Sequence, residues 1–260
     1  MKTIGLFDCD NKKPNLALMK LSGFYKQRGY QTVLNPSQPC DLNFASCVFP
    51  QNAEYAYLLR DKIGAVIGGS GVDMHTRLDD DVEHSCPDYG LYGLDYSLGF
   101  TSRGCSRKCK FCIVPDKEGG IVEHSPLSEF VRHKKIVLQD NNFLASPLWK
   151  DKLEEMIDRK VKVDFNQGLD VRLLTEESAE LLAKLNPPYL RFAWDDPKLE
   201  PAVMRGIELL RNAGFPIKRR RLMFYVLINF NTTFQEDMHR AETLHSQDVT
   251  AFVQIYGKGS

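Results

Sequence analysis

The sequence lacks an excess of either charge, with 34 Lys and Arg against 34 Asp and Glu. That balance argues against wholesale coating of nucleic acid by a basic surface and leaves only a local basic patch open. No apolar run approaches the roughly 18 residues that a membrane span needs. The N-terminus, Met1-Lys2-Thr3-Ile4-Gly5-Leu6-Phe7, has neither the long apolar core nor the cleavage site of a signal peptide, so the expected location is the cytoplasm. An even set of cysteines is also missing. The seven present suit a reducing compartment better than a disulfide framework. Histidine is absent before His75, so the N-terminal quarter has no imidazole to offer a metal.

What is present alternates between strand and helix patterns. Residues 3–7, 31–34, 43–49 and 64–67 read as strands, with helices at 15–28 and 53–62 between them. Pro14 is expected in the first turn of the earlier helix and Gly29 at its end. This spacing predicts a small doubly wound parallel sheet over residues 1–73. Residues 74–95, rich in Gly, Pro and Asp with Tyr89 and Tyr92 interleaved, read as an irregular crossing segment. From 96 to 260, six strand candidates follow at 96–100, 135–139, 161–165, 189–193, 222–228 and 251–256. Helical patterns at 127–133, 147–160, 175–185, 200–213 and 233–245 separate most of them, and Thr233 with Glu236 forms a capping-box pair. Such units imply a parallel sheet with right-handed crossovers, open or curled into a partial barrel, with ligands at the C-terminal strand ends.

Cys9, Cys40, Cys47 and Cys86 are scattered, but Cys105, Cys109 and Cys112 fall within eight residues, on a loop leaving the first strand of the second region. Three thiolates so close can wrap one metal centre. Three protein ligands on a four-iron cluster leave one iron open to bind a substrate or cofactor, whereas most iron–sulfur sites close that position with a fourth Cys. Arg103, Arg107, Lys108 and Lys110 surround the trio and favour an anionic cluster. A structural zinc loop is the alternative. It wants four closed ligands, and Cys86 or His124 would have to complete the set from outside.

The Cys-x3-Cys-x2-Cys spacing, with Phe111 just before the last Cys, resembles the motif of the radical S-adenosylmethionine (SAM) superfamily. The wider string, Ser102-Arg103-Gly104-Cys105 through Phe111-Cys112-Ile113-Val114-Pro115, is similar to the methylthiotransferase and cobalamin-domain branch. The resemblance implies an α/β protein: a small doubly wound, cobalamin-binding-like domain (1–73), the crossing segment (74–95) and a partial (β/α)6 radical SAM barrel (96–260). It also implies a 4Fe-4S cluster on Cys105, Cys109 and Cys112, SAM on the open iron, and reductive cleavage to a 5′-deoxyadenosyl radical. A reductase or flavodoxin-type electron donor is then the expected partner, and the substrate is undetermined.

By position, Asp140, Asn141 and Asn142 fall where the superfamily carries a Gly-Gly-Glu motif for the SAM amino group; an ordinary Asp/Asn-rich turn is the equal alternative. Asp195, in the Asp195-Asp196 pair, falls where the superfamily often places a ribose-binding acid, against an ordinary helix cap. Asn166, Gln167, Asp170 and Arg172 end the third strand as candidates for SAM or substrate, with Arg172 suited to a carboxylate. Asn229 and Asn231 follow the fifth.

Cobalamin is not favoured as a cofactor, because the turn at residues 8–13 lacks the His of cobalt-ligating domains. A cobalamin-dependent methylase stays open as the second enzyme reading, and a structural metal clip as the non-enzymatic one. Methylthiotransferases hold a second cluster on three N-terminal cysteines. Cys9 and Cys47 resemble two of these, but Gly69-Ser70-Gly71 occupies the place of the third. One cluster is therefore expected, with Cys40 and Cys86 as substitutes only by a different geometry. The tRNA-modifying relatives carry a C-terminal RNA-binding domain, whereas this sequence closes at 257–260 directly after the sixth strand. Lys218-Arg219-Arg220-Arg221 is its basic run, expected to be a solvated lead-in to a strand.

Overall fold

Four short apolar runs assemble the N-terminal sheet: β1 (Thr3–Asp8), β2 (Gln31–Leu34), β3 (Leu42–Ser46) and β4 (Val66–Gly68). All pair in parallel, in the order β2-β1-β3-β4. Five of the six β1 residues are buried, as expected of a parallel strand covered on both faces. The computed structural model describes residues 2–11 and 13–257, so Lys12 of the 8–13 turn and residues 258–260 lie outside the described residues.

The chain divides into two compact units. The first comprises Met1–Gly99, Cys109–Gly119 and Ser125–His133, and the second Phe100–Lys108, Gly120–His124 and Lys134–Ser260. In the first, α1 (Leu16–Gln27) follows β1, and its N-cap is Asn15, whose side chain accepts from Leu18 N–H. Pro14 thus precedes the cap and does not sit in the first turn as expected, because the Asn15 side chain satisfies a free helix N–H that Pro cannot. Gly29 takes φ +81 just past the end of the helix. The second helix, α2 (Ala53–Ile63), ends on Gly64 in the same left-handed region. Ile4, Leu6, Leu18, Leu21 and Val82 form one core cluster. Val82 belongs to the single-turn α3 (Asp80–Glu83), so the 74–95 segment packs into this unit. It is tied down further by Tyr92 Oη on Asp8 (2.7 Å) and Asp88 on Ser22 and Lys26. The strand β5 (Ser97–Gly99) and two single-turn helices, α4 (Val114–Lys117) and α5 (Leu127–Phe130), complete the unit. The helix expected over 127–133 stops at Phe130, where Val131 turns extended and Tyr89 Oη donates to Phe130 O.

The second unit opens with two-residue antiparallel strands, β6 (Ser102–Arg103) and β7 (Val122–Glu123). Then β8 (Lys135–Leu138) pairs in parallel with β9 (Lys162–Phe165). A parallel group follows in the order β10 (Leu190–Ala193), β11 (Leu222–Ile228), β12 (Thr250–Ile255). An isolated parallel bridge, Leu169 to Phe192, links the end of β9 to β10. The connecting helices are α6 (Trp149–Asp158), α7 (Glu176–Leu185), α8 (Glu200–Asn212) and α9 (Phe234–Ser246). Alternate residues are buried along the strands, and Phe192 stacks on Phe224 at 5.4 Å. The Thr233–Glu236 capping box forms as expected, and Thr175 makes a second one with Ser178. Among the described residues, no helix is long and apolar enough to cross a membrane.

Candidate metal and SAM site

The cysteine-bearing segment runs from β6 to β7. Its base is held from below by the turn after β8. Asp140, 3% exposed, accepts four hydrogen bonds: from Thr101 N (2.9 Å), Thr101 Oγ1 (2.6 Å), Ser102 N (2.6 Å) and Ser102 Oγ (2.7 Å). Asn141 Oδ1 accepts from Gly104 N at 2.9 Å. Opposite, Lys152 of α6 bonds Thr101 O and Ser146 Oγ and pairs with Glu123 of β7 at 2.5 Å. The strand entering the segment is therefore fixed at buried, charge-assisted contacts, and the exposed strand leaving it is tied through Glu123 to the buried Lys152.

Cys105 lies at the start of this segment, within the second unit. Its sulfur accepts from Arg107 N and from Asn142 Nδ2, each at 3.4 Å. Asn142 is 2% exposed, and its Oδ1 is buried without a partner. Cys109 and Cys112 fall in the first unit, where Cys112 N bonds Cys109 O (3.0 Å) and Val114 N donates to Cys112 Sγ (3.5 Å). Phe111, between them, is half-buried. None of the seven cysteines is in a disulfide. Among the described residues, no group of three or more His, Cys, Asp or Glu is arranged to hold a metal ion. Thiols gain nothing by facing one another until a metal ligates them, so the fit rests on the donor set. Sulfur atoms receiving N–H bonds suit thiolates, and such bonds are a known lever on iron–sulfur centres.

A second anchor comes from the end of β9. Asp170 accepts from Arg107 Nε (2.8 Å), from Arg172 Nε (2.6 Å) and from Arg172 Nη2 (3.0 Å). Burial alone would raise its pKa, but the two guanidiniums outweigh burial and hold the carboxyl below its ordinary value. Arg107 lies between Cys105 and Cys109 in sequence, so Asp170 tethers the segment at its own cationic residue. Arg172 gives Nε and Nη2 to Asp170, only part of its guanidinium donor set, so the expected carboxylate role is neither met nor contradicted by this contact.

Asp195 stands at the end of β10, where Leu227 N donates to its Oδ1 at 3.2 Å. Burial raises its pKa, and the Leu227 N–H and the charges of Arg240 and Arg172 offset this only in part. Arg240, fully buried, reaches from α9 to Trp194 O, Leu227 O and Asp237. Asn166 is half-buried and Gln167 exposed; among the described residues, neither side chain bonds into the Asp140 or Asp170 networks. Asn229 and Asn231 both take positive φ as β11 leaves the sheet.

In the first unit, the turn after β1 closes on itself. Asp8 caps Asp10 N and Asn11 N, while Asp10 accepts from Val48 N, Phe49 N and Asn52 Nδ2. Burial, with the nearby Cys47, Asp10 and Asp8, pushes the Cys9 thiol up to about 12. Cys47 is buried, its pKa also raised by burial, and its sulfur donates to Phe49 O. The glycines at 69 and 71 have a steric reason. A Cβ on Gly69 would meet Cys47 O at 2.3 Å, and one on Gly71 would meet Phe49 C at 2.7 Å. A cysteine at position 69 or 71 has no room without backbone movement, and position 70 between them is held by Ser70, whose Oγ donates to Val48 O.

No protein-family profile matches the sequence, and no curated protein matches it. Among solved structures, that of the radical S-adenosylmethionine methyltransferase TsrM from Kitasatospora setae, with cobalamin and a [4Fe-4S] cluster bound, is similar. The likeness has a TM-score of 0.71 at 12% identity and covers 98% of this chain and 75% of that one. This chain shares its fold with a radical SAM protein. The likeness spans both units, and the superfamily resemblance carried by the cysteine spacing stands beside it.

Residues that the sequence did not single out are Thr101, Glu123, Ser146 and Lys152. Lys152 had a readable signal: it sits next to Leu153 on the buried stripe of an amphipathic helix, where a lysine needs a partner.

Proposed function

We propose that the chain is a radical SAM enzyme in which Cys105, Cys109 and Cys112 bind a 4Fe-4S cluster beside a SAM site. The observation that carries this reading is the Cys105 sulfur receiving two N–H donors on a segment anchored by Asp140 and Asp170, in a fold shared with a radical SAM methyltransferase. A 4Fe-4S cluster held by Cys105, Cys109 and Cys112 would supply the one electron that splits the C–S bond of SAM into methionine and a 5′-deoxyadenosyl radical. The chain's own residues have separate tasks. Asp140 and the Lys152–Glu123 pair hold the segment's base, and Asp170 holds Arg107. The orphaned Asn142 Oδ1 is an acceptor for the SAM ammonium, and Asp195 is an acceptor for ribose hydroxyls. We further propose that β8–β12 belong to a partial (β/α)6 barrel, that the N-terminal sheet is a cobalamin-binding-like domain, and that a flavodoxin-type reductase donates the electron in the cytoplasm.

A second reading, a cobalamin-dependent methylase, is favoured by the cobalamin-bound methyltransferase whose fold matches 98% of this chain. The turn after β1 has no His to ligate cobalt, so this reading requires a corrinoid held without an imidazole from that turn. Anaerobic reconstitution followed by product analysis separates the two. 5′-Deoxyadenosine under dithionite supports radical cleavage, S-adenosylhomocysteine with retained corrinoid supports methyl transfer, and neither product removes both.

A further inference from the structure

The strand β12 ends the β10-β11-β12 group and, among the described residues, has no strand on its outer side. It is apolar on both faces yet open to solvent: Phe252 is 52% exposed, Val253 47% and Ile255 74%. Solitary edge strands normally carry a Lys, a Pro or a bulge to discourage pairing. Residues 250–256, Thr-Ala-Phe-Val-Gln-Ile-Tyr, have no charge and no Pro, and the β11–β12 register runs unbroken from Thr250 to Ile255.

We infer that β12 pairs with β12 of a second copy of this chain, antiparallel about a two-fold axis at Gln254. The sequence reads the same in both directions by residue class: aromatic Phe252, β-branched Val253, Gln254, β-branched Ile255, aromatic Tyr256. A two-fold through Gln254 sets Val253 opposite the other copy's Ile255, Phe252 opposite its Tyr256, and Gln254 opposite itself. These are favourable cross-strand pairs, with no like charges opposed. The hydrogen-bond phase agrees. Tyr256 N bonds Ile228 O, so even-numbered residues turn their backbone groups toward β11, and Val253 and Ile255 turn theirs outward. Val253 and Ile255 of opposite copies therefore exchange N–H···O bonds, and Gln254 becomes the non-hydrogen-bonded pair. Isologous pairing consumes the free edge on both copies, so assembly stops at a dimer.

Sedimentation velocity on the purified chain, kept anaerobic at about 10 µM, tests this. The wild type is expected at twice 29.7 kDa, and Val253→Lys with Ile255→Lys at 29.7 kDa, with circular dichroism unchanged. The register is tested separately. Gln254→Cys places two Cα atoms about 4.5 Å apart across the axis, within disulfide reach. Mild diamide should then give a covalent dimer beyond the wild-type background, and Ala251→Cys should not. A monomeric wild type up to about ten times that concentration overturns the proposal, as does a dimer that survives the double Lys variant. A dimer in which Gln254→Cys forms no more crosslink than the wild type also overturns it.

Discussion

Removing the Asp140 carboxylate should loosen the cysteine-bearing segment at its root. In Asp140→Ala, four donors lose their acceptor, two of them the backbone N–H groups of Thr101 and Ser102, in a site where Thr101 is 1% and Ser102 0% exposed. Each buried donor left unmet costs about 1–3 kcal/mol. Water entering the vacated space recovers part of this, so the loss should be about 3–5 kcal/mol, the scale of breaking one side of a buried charged contact. Asp140→Asn keeps the shape and one acceptor oxygen and should cost about half as much. The readout is native-state hydrogen exchange at Thr101 and Ser102, which isolates the segment even if the two units unfold separately. A loss of about 3 kcal/mol is a more than 100-fold drop in protection, since about 1.4 kcal/mol is tenfold. Protection within tenfold of wild type at both amides in Asp140→Ala would refute the anchoring role.

Three further outcomes follow from the site. Asp195→Ala should weaken SAM binding by roughly 1–3 kcal/mol, the scale of a charge-assisted hydrogen bond, and unchanged affinity in calorimetry removes Asp195 from the site. Asp170 has a folded-state pKa below its unfolded value, so its contribution is fully present above the ordinary Asp value near about 3.9 and is lost as pH falls through the lowered value. Acid denaturation of Asp170→Asn should therefore show a shallower slope than wild type between the ordinary Asp value and the lowered one, and identical slopes there would show the Arg107–Asp170–Arg172 contact to be energetically silent. Purification with hydroxocobalamin should give protein free of corrinoid once the iron–sulfur absorption is subtracted, whereas stoichiometric corrinoid would promote the methylase reading.

The strand–helix alternation was legible because buried parallel strands write apolar runs and the helices between them carry apolar stripes. Residues 31–34 and 222–228 form strands with the bounds their patterns suggest, and Thr233 with Glu236 caps α9. The β6–β7 pair was invisible, since two residues per strand hold no periodicity. The helix expected over 127–133 shrank to one turn because Tyr89, remote in sequence, claims the Phe130 carbonyl. At the site, spacing alone singled out the cysteines, and topology put Asp140, Asp170 and Asp195 at strand ends. What the sequence could not show is the direction of their side chains. Asp140 turns to the base of the segment and Asp170 to two arginines, choices made by long-range packing that no local pattern records.

The central claim, one open-iron cluster on three cysteines, is tested most directly by counting iron and acid-labile sulfide. The proteins to compare are anaerobically reconstituted wild type and the variant combining Cys105→Ala, Cys109→Ala and Cys112→Ala. About four irons per chain in the first and almost none in the second is the predicted result. Zinc in place of iron, or roughly eight irons falling to four with the remainder lost on Cys9→Ala, would contradict it.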